Sequence, residues 1–500
     1  MPGGLSPASP PPPLMGAAPP AFAAARAALP PSGVCYALVW LGTLAAEIAG
    51  FPLAGDAAGL FLLLFLILEW PRQRRYARLV LLGFSAAGGV GIALAARHGV
   101  APLGVFIVGW RRGAALAAFY FALGALRDAA ETSPLFRRCG RLLLAQPPGR
   151  RYAALTIGGH LFGLILSYGA IDLLGAMVSR SRAEGPAGML RARRMMLAIN
   201  RGFCTVNTWN PLNVMTAVVT TAVPAAPMRL LMPLGFGVAL MMLALGWAED
   251  RWRWRREAVP AALPVAAGGW AGPLRLIGLV GLVMGLAEAA NAVLGGGLIT
   301  AVTLVVPLVA LIWVGVQTRG GIARLGPLPG APALPAWLLR RGRRFIARAP
   351  AFRAEALVLG ASGFMGVALG GALPGSGLAP HLGGVPPLVI PLAVPPLLML
   401  TGQIGLNPIA VVALIGAAIP APAALGIAPA ALAFACMLGW ALAVSVTPMS
   451  ASAITTARWL HVSPWRVSTV WNAGFAAAAL LLAWGAIGAL SLALAGGPGG

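Results

Sequence analysis

The segment that decides the fold is residues 195–223, which read MMLAINRGFCTVNTWNPLNVMTAVVTTAV. It is apolar at both ends and exceeds the roughly 20 residues that a helix needs to cross a bilayer. Three of the chain's seven asparagines, Asn207, Asn210 and Asn213, surround Pro211 near its middle. Proline removes a backbone donor and opens a helix, and groups freed in hydrocarbon need partners. The segment therefore predicts a membrane helix that is broken at Pro211.

Composition extends this interpretation to the whole chain. Of its 500 residues, 59% are hydrophobic and only 10% are charged, whereas a soluble domain carries about 25% charged residues. Apolar runs long enough to span a bilayer recur between Gly33 and Ala495. In hydrocarbon every backbone group must be paired within its own segment, so such runs are helices. The predicted fold is an all-α polytopic membrane protein.

The charge pattern predicts the orientation. The net charge is +24, every basic residue is arginine, and the arginines form short clusters between apolar runs. This is the positive-inside pattern, so we expect the arginine-rich loops to be cytoplasmic in a bacterial-type inner membrane. The scatter of the arginines argues against a nucleic-acid partner, which would require the charge on one soluble face. Four separated cysteines and four dispersed histidines predict neither a disulfide framework nor a metal site.

Two apolar segments are predicted to be re-entrant hairpins. Tyr152–Val178 lies between two arginine clusters, so a simple crossing would place one cluster outside. We expect it to enter and leave on the cytoplasmic side, with its tip at Ser167–Asp172. Pro386–Ile419 lies within residues 356–457, which contain no Asp, Glu, Lys or Arg. With Thr401–Pro408 near its middle, this segment is predicted to enter from the outside.

The sequence also contains an internal repeat with a constant offset. The pairs 237 residues apart are Pro211 and Pro448, Pro227 and Pro464, Arg229 and Arg466, Gly237 and Gly474, and Trp247 and Trp484. The arginine pattern sends the first copy outward and the second inward. We therefore predict two inverted-topology repeats, each with a re-entrant hairpin and a proline-broken transmembrane helix.

The predicted organisation follows from this repeat. Residues 1–32 are Pro- and Ala-rich and are expected to form a disordered cytoplasmic tail. Residues 33–256 form repeat 1. Residues 257–353 supply connecting helices and a basic cytoplasmic loop, with helices at 276–316 that begin repeat 2. Residues 354–495 form the core of repeat 2.

The offset aligns a second polar motif, Ser445–Ser452, with the first. It places Thr447 opposite Asn210 and Ser450 opposite Asn213. In secondary transporters, paired interrupted helices bind solute and coupling ion near the midplane, where the two copies meet. The alternative is a proline kink whose Ser and Thr side chains cap their own helix, as is common in membrane helices.

We predict that the hairpin tips and helix breaks together bind solute and ion. The predicted binding residues are Ser167, Asp172, Asn207, Thr208, Asn210, Asn213, Thr401, Gln403, Asn407, Ser445, Thr447, Ser450 and Ser452. The predicted helix breaks are at Pro211 and Pro448.

Three further features have two interpretations each. Glu288 is a candidate proton-coupling group, or a structural partner of Asn291. Asp172 faces a cavity, or instead pairs with a cytoplasmic arginine. Residues 101–126 carry Arg111 and Arg112 in their middle, which predicts an interfacial or broken piece.

The order of hairpin and broken helix, repeated and inverted, resembles the ion transporter superfamily. That group holds divalent-anion/sodium symporters, citrate transporters, arsenite permeases and sodium/proton antiporters. The segments that carry the resemblance are Ser167–Asp172, Asn207–Asn213, Glu355–His381, Thr401–Pro408 and Ser445–Ser452. The resemblance implies that tips and breaks bind substrate and coupling cation, and family analogy implies a homodimer. Neither tip carries the family's Ser-Asn-Thr signature.

The resulting functional hypothesis is an ion-coupled secondary active transporter. It would move a small, anionic, carboxylate-like solute across the inner membrane by alternating access, driven by protons or sodium. The chain has no Walker-type glycine-lysine loop, so ATP is not the indicated driving force. The alternatives are a passive channel, a non-transporting scaffold in the bilayer, or a membrane-embedded enzyme. An enzyme would need convergent acids, bases or metal ligands, and residues 356–457 offer no charged group.

Overall fold

Helices account for all the regular secondary structure in this computed structural model, which describes residues 28–181, 184–254, 269–325, 334–372 and 384–495. In chain order they are α1 (Pro31–Ala49), α2 (Pro52–Glu69), α3 (Arg75–Arg97), α4 (Pro102–Glu131), α5 (Pro134–Leu144), α6 (Pro148–Leu166), α7 (Gly169–Arg180), α8 (Gly185–Cys204), α9 (Val214–Ala222), α10 (Met228–Arg253), α11 (Ala271–Leu294), α12 (Leu298–Leu325), α13 (Leu334–Arg348), α14 (Arg353–Ala372), α15 (Val389–Gln403), α16 (Pro408–Ala418), α17 (Pro429–Val446), α18 (Ala451–Leu460) and α19 (Ala473–Ala495). Within these ranges, ten helical segments are long and apolar enough to cross a bilayer. The protein is an all-α polytopic membrane protein.

The prediction that residues 101–126 are interfacial or broken is wrong. They belong to α4, one continuous helix of 30 residues. Arg111, near its middle, donates from Nε to Asp56 Oδ1 of α2 at 3.1 Å. This ion pair gives the charge a partner among the packed helices, so the helix has no need to break there.

Two helical hairpins lie at the predicted places. The first consists of α6 and α7, joined at Ser167 and Tyr168, and the second of α15 and α16, joined by residues 404–407. Their helices differ in length, since α6 has 19 residues and α7 has 12. In the second hairpin α15 has 15 residues and α16 has 11, too short to span a bilayer.

Each hairpin is followed by a helix in two pieces. The first broken helix consists of α8 and α9, separated by a 3₁₀ turn at Thr205–Thr208 and a non-helical stretch. The second consists of α17 and α18, separated by residues 447–450. Every residue of α17 from Ala430 onward is buried, so this helix forms the centre of the molecule.

Two amphipathic helices, α5 and α13, lie at the edges of the spans. Helix α5 begins only two residues after α4 ends, buries an apolar face that includes Phe136 and Leu143, and exposes arginines on its other face. Helix α13 binds α4 through Arg341 and Arg348, which both pair with Asp128.

Parts of the predicted organisation fall outside the described residues. These parts are residues 1–27 of the N-terminal tail, residues 255–268 and 326–333 of the connecting region, and residues 373–383 before the second hairpin. The helices predicted at 276–316 correspond to α11 and α12.

Candidate functional site at the two helix breaks

The first break is held by its own asparagines. Asn213 caps α9, because its Oδ1 accepts a hydrogen bond from the Met215 amide at 3.0 Å. Its Nδ2 donates to Asn207 Oδ1 at 3.1 Å, and Asn207 in turn donates to the Cys204 carbonyl at 3.0 Å. The side chains therefore replace backbone hydrogen bonds lost where Pro211 interrupts the helix.

The second break repeats this arrangement with serine. Ser450 caps α18, since its Oγ accepts from the Ala453 amide at 3.2 Å. The same hydroxyl lies 2.8 Å from the Thr447 carbonyl and 3.1 Å from Ser452 Oγ. Asn213 and Ser450, the pair aligned by the 237-residue offset, thus perform the same capping role.

Each break is also tied to the helix that follows it, at positions related by the same offset. The Thr208 hydroxyl lies 2.9 Å from the Gly235 carbonyl of α10. At the second break, Asn472 donates from Nδ2 to the Ser445 carbonyl at 3.1 Å, just before α19 begins. Residues 208 and 445, and residues 235 and 472, are each 237 positions apart.

Two further contacts are related by the same 237-residue offset. Gly202 of α8 and Gly439 of α17 are 237 positions apart, and a Cβ at either would overlap the long arm of its own hairpin. Small residues of this kind allow close approach of membrane helices.

The second half-helices contact the hairpin of the other copy. Trp459 of α18 packs against Gly175 of α7, and Ala222 of α9 packs against Gly416 of α16. Ala222 and Trp459 again differ by 237. The two copies therefore interlock in a reciprocal way, with each half-helix against the short arm of the opposite hairpin.

The residues immediately before the two prolines are both buried, and each has a polar atom without a hydrogen-bond partner in the described part of the chain. Asn210 is only 1% exposed and Thr447 only 5% exposed, yet Asn210 Nδ2 and Thr447 Oγ1 have no hydrogen-bond partner among the described residues. Asn210 Oδ1 is satisfied by the Leu212 amide at 3.0 Å, so only its donor end is free. Leaving such a group unpaired costs about 1–3 kcal/mol, and each instance calls for an explanation. Here both instances occupy aligned positions.

The tip of the second hairpin is hydrogen-bonded to the second break. Gln403 donates from Nε2 to the Val446 carbonyl at 2.7 Å and accepts from Thr469 Oγ1 at 3.1 Å. A Cβ at Gly402 would collide with the Thr447 hydroxyl, so the tip lies directly against the unpaired group. Thr401 and Asn407 serve local roles: the Thr401 hydroxyl donates to its own helix and Asn407 caps α16.

The tip of the first hairpin and the first break enclose a small cavity of about 40 Å³. Ser167, whose backbone has a φ of 51°, and Asn213 both line it. A non-glycine residue in this region of φ is strained, and such strain concentrates at functional sites. The structure thus brings together two predicted site residues that are 46 positions apart in the sequence.

Arg127 of α4 lines the same cavity and was not identified from the sequence. Its Nη1 lies 3.5 Å from Tyr120 Oη, and its Nε is buried without a hydrogen-bond partner. Glu131 and Glu355 act on it electrostatically, but in the described part of the chain no carboxylate lies within 4 Å of its guanidinium. Arg127 is the one charged residue in the described lining of this cavity.

A second, larger cavity of about 830 Å³ lies on the other side of the first break. Trp209 and Pro211 of the break line it, together with residues of α1, α4, α9, α10, α11 and α12. Its charged lining consists of Glu47, Arg112, Arg229 and Glu288. Residues 209–214 therefore separate a large cavity from a small one.

Two predicted carboxylates are paired with arginines. Glu288 faces the large cavity and pairs with Arg229 at 2.7 Å, not with Asn291. Asp172 is already within the first turn of α7 and forms an ion pair with Arg458; Trp459 Nε1 also donates to it at 3.2 Å. Of the two interpretations of Asp172, the structure shows the second, in which it pairs with an arginine.

Sequence reasoning also missed a buried ionic cluster around Arg201 of α8. Arg201 lies 2.8 Å from Glu249 of α10, 2.9 Å from Asn472 Oδ1 and 3.1 Å from Tyr152 Oη. The one available signal was an arginine inside the apolar half of a broken helix. Since it joins α6, α8, α10 and the start of α19, it fixes the relative positions of the two copies.

The atoms at the breaks that could bind a cation are hydroxyl, amide and backbone oxygens. Among the described residues, no group of three or more His, Cys, Asp or Glu side chains has the geometry to hold a metal ion. Neutral oxygens of this kind suit a hard cation.

No family model matches the chain, and no curated protein matches it. Among solved structures, the chain is similar to the YdaH transporter of Alcanivorax borkumensis, whose crystal structure is described as revealing an unusual topology. The two share 18% sequence identity with a TM-score of 0.45, over 75% of this chain and 85% of that chain. A likeness this distant carries no argument about function.

Proposed function

We propose that the protein is an ion-coupled secondary active transporter of a small, carboxylate-like anion. The observation that carries this proposal is the pair of unpartnered buried groups, Asn210 Nδ2 and Thr447 Oγ1, at aligned positions of two helix breaks. A purely structural kink satisfies its own polar groups, because an unpaired one in hydrocarbon is costly. Groups left free at both breaks are accounted for if a solute or ion becomes their partner.

The contacts related by the 237-residue offset support two inverted repeats, each with a re-entrant hairpin. In this arrangement residues 33–256 and 354–495 carry the two copies, and the arginine-rich loops lie on the cytoplasmic side of an inner membrane. The interlocked half-helices support a solute site between the two breaks, because transporters with such repeats bind solute where the two copies meet. The arrangement is of the kind found in the ion transporter superfamily.

Anion recognition belongs to the first break in this proposal. Arg127 supplies a positive charge without a close carboxylate partner, and the N-terminus of α9 adds its partial positive charge. Asn213 and Ser167 supply the polar groups beside them. The cavity of about 40 Å³ accommodates one carboxylate group but not a whole solute. The remainder of the solute requires the break or the hairpin tip to move.

That movement corresponds to alternating access. The first break separates the large cavity, which we assign to the outer side, from the small cavity at the hairpin tip. The second break presents Thr447 and the Val446 carbonyl beside Gln403, which suits a coupling cation. Motion of either hairpin against its break would open one side while the other remains closed.

The test is solute flux in proteoliposomes that contain the purified full chain. Small mono- and dicarboxylates are offered under an imposed sodium or proton gradient, and we expect accumulation above the equilibrium level. Asn210→Ala and Thr447→Val should each reduce the initial rate at least about tenfold. Thr318→Val is the matched control, because the Thr318 hydroxyl donates to its own helix at 2.9 Å and should have no effect.

Three outcomes would overturn the proposal. Equilibration without accumulation would indicate a passive channel. Unchanged transport in both break variants would remove the breaks from the mechanism. Absence of gradient-dependent uptake across the panel would favour a scaffold.

A further inference from the structure

A second charged site lies at the open end of the first hairpin, and its lining includes no residue of either break. It is a cavity of about 560 Å³ between the amphipathic helix α5 and the short arm α7. Its lining consists of Pro134, Arg137, Arg138, Arg141, Leu173, Ala176, Met177 and Arg180. Four arginines thus surround an apolar floor.

These arginines have no acidic partners. Within the described residues, none of the four forms an ion pair within 4 Å of a carboxylate. Asp172 is the sole acid in the sequence between residues 132 and 183, and it is paired with Arg458. Four like charges around one cavity repel one another, and an anion with several oxygens would offset that repulsion.

The location narrows the class of anion. Helix α5 begins two residues after the membrane-spanning α4 ends, and its apolar face is buried against neighbouring helices. The positive-inside pattern predicts that its arginines lie along the membrane surface, as does Arg180 at the end of α7. Phosphates of lipid headgroups occupy this level, and basic pockets beside membrane helices bind them. The apolar floor of Leu173 and Met177 matches an acyl chain.

We propose that this cavity, between α5 and α7, binds an anionic phospholipid of the leaflet on the arginine-rich side. The phosphate is held by arginines from both walls, and the first part of the acyl chain lies on Leu173 and Met177. Such a lipid would join the fixed helix α5 to the hairpin arm α7. Because α7 also contacts α18 through Asp172 and Gly175, the lipid would stabilise one position of this hairpin.

Binding can be measured with the purified full chain in a neutral detergent. The probes are dihexanoyl phosphatidylglycerol, dihexanoyl phosphatidylcholine and inorganic phosphate, compared by isothermal titration calorimetry. The test variant is Arg141→Gln/Arg180→Gln, which removes one arginine from each wall. The matched control is Arg74→Gln/Arg75→Gln, which removes two exposed arginines that line none of the cavities described above. A thermal unfolding curve for each variant checks that it folds, and Arg137→Gln/Arg138→Gln replaces the test pair if it does not.

We expect phosphatidylglycerol to bind more tightly than phosphatidylcholine. The wall variant should weaken phosphatidylglycerol binding roughly tenfold or more, since each arginine near a headgroup contributes about a fivefold effect. The control should bind as the unmodified protein does. Equal binding of the two lipids, or an equal loss in the control, would overturn the proposal. Inorganic phosphate that binds as tightly as the lipid would assign the site to free phosphate instead.

Discussion

The two helix breaks share a backbone layout but differ in what surrounds them. At the first break Asn207, Asn210 and Leu212 are buried, and Arg127 faces the adjoining cavity. At the second, Met449 is 67% exposed, and no Asp, Glu, Lys or Arg occurs between residues 356 and 457. The same fold element thus lies beside an arginine-lined cavity in one copy, whereas in the other it has an exposed Met449 and no charged residue in its own segment.

Under the proposed function, this difference would assign the two tasks of a coupled transporter to different breaks. An anion needs compensating charge in a low-dielectric site, and Arg127 lines the cavity at the first break. A cation needs neutral oxygens, which the Thr447 hydroxyl and the Val446 carbonyl supply at the second. The first break is fixed by its own asparagines, whereas the second depends on Gln403 from the hairpin tip.

The largest expected effect concerns the rigidity of the first break. A Cβ at Gly235 would overlap the Thr208 carbonyl oxygen, and backbone atoms cannot move aside easily. Gly235→Ala should destabilise the fold by about 3 kcal/mol or more, measured as the midpoint of thermal or chemical unfolding in detergent. Gly237→Ala is the control, because open space surrounds that position.

A glycine substitution at the hairpin tip beside the second break should be milder. At Gly402 the added Cβ meets the Thr447 hydroxyl, a side-chain atom that can rotate. We therefore expect Gly402→Ala to fold and to affect transport more than stability. If Gly402→Ala destabilised the fold as much as Gly235→Ala, the contrast between a rigid and an adaptable break would be wrong.

The next largest effect concerns charge at the first break. Arg127→Gln removes the charge that the cavity of Ser167 and Asn213 offers to a carboxylate. A hydrogen bond to a charged group contributes about 1.5–3 kcal/mol, so the KM for an anionic solute should rise about 10- to 100-fold. Arg127→Lys keeps the charge and should recover part of the affinity. An unchanged KM in Arg127→Gln would move anion recognition elsewhere, with Arg112 and Arg229 of the large cavity as the next candidates.

A smaller, more selective effect concerns the two hairpin tips. Gln403→Leu removes the two hydrogen bonds that hold the second tip to Val446 and Thr469. We expect the apparent affinity for the coupling cation to fall about fivefold, with the solute KM at saturating cation unchanged. Ser167→Ala at the first tip should give the reverse result. If each variant changed both affinities equally, the two breaks would form one shared site.

Features of the fold and the candidate site could be predicted from the sequence when they depend on residues close together in the chain. Proline opens a helix at its own position and asparagine or serine caps the helix that restarts, so Pro211, Pro448 and the caps were recognisable locally. The hairpins were recognisable because arginine clusters flank one and charge is absent around the other. Arg127 was not recognisable, because it resembles the other arginines near helix ends until packing places it against the first tip.

Ion pairs between residues far apart in the sequence could not be predicted. Asp172 was predicted to face the site, but its partner Arg458 lies 286 positions away and only the folded chain brings them together. Arg111 suggested an interruption of α4, because its partner Asp56 lies on another helix. An ionisable residue in an apolar segment therefore indicates a charged partner without identifying it.

The last comparison concerns the caps themselves, where the two breaks should differ by one hydrogen bond. Ser450→Ala removes the cap of α18 and should cost about 1 kcal/mol of folding stability, the usual value for an N-cap. Asn213→Ala removes the cap of α9 and also the hydrogen bond from Asn213 Nδ2 to Asn207, so it should cost about 2 kcal/mol. Both are measured as shifts of the unfolding midpoint in the same detergent.

The variant Asn213→Ser isolates the extra hydrogen bond. It keeps an oxygen that accepts from the Met215 amide but loses the amide donor that reaches Asn207. Its stability should therefore fall between those of the unmodified protein and Asn213→Ala, near the loss seen for Ser450→Ala. Equal stability of Asn213→Ser and Asn213→Ala would mean that the asparagine pair, and not the cap, holds the first break closed.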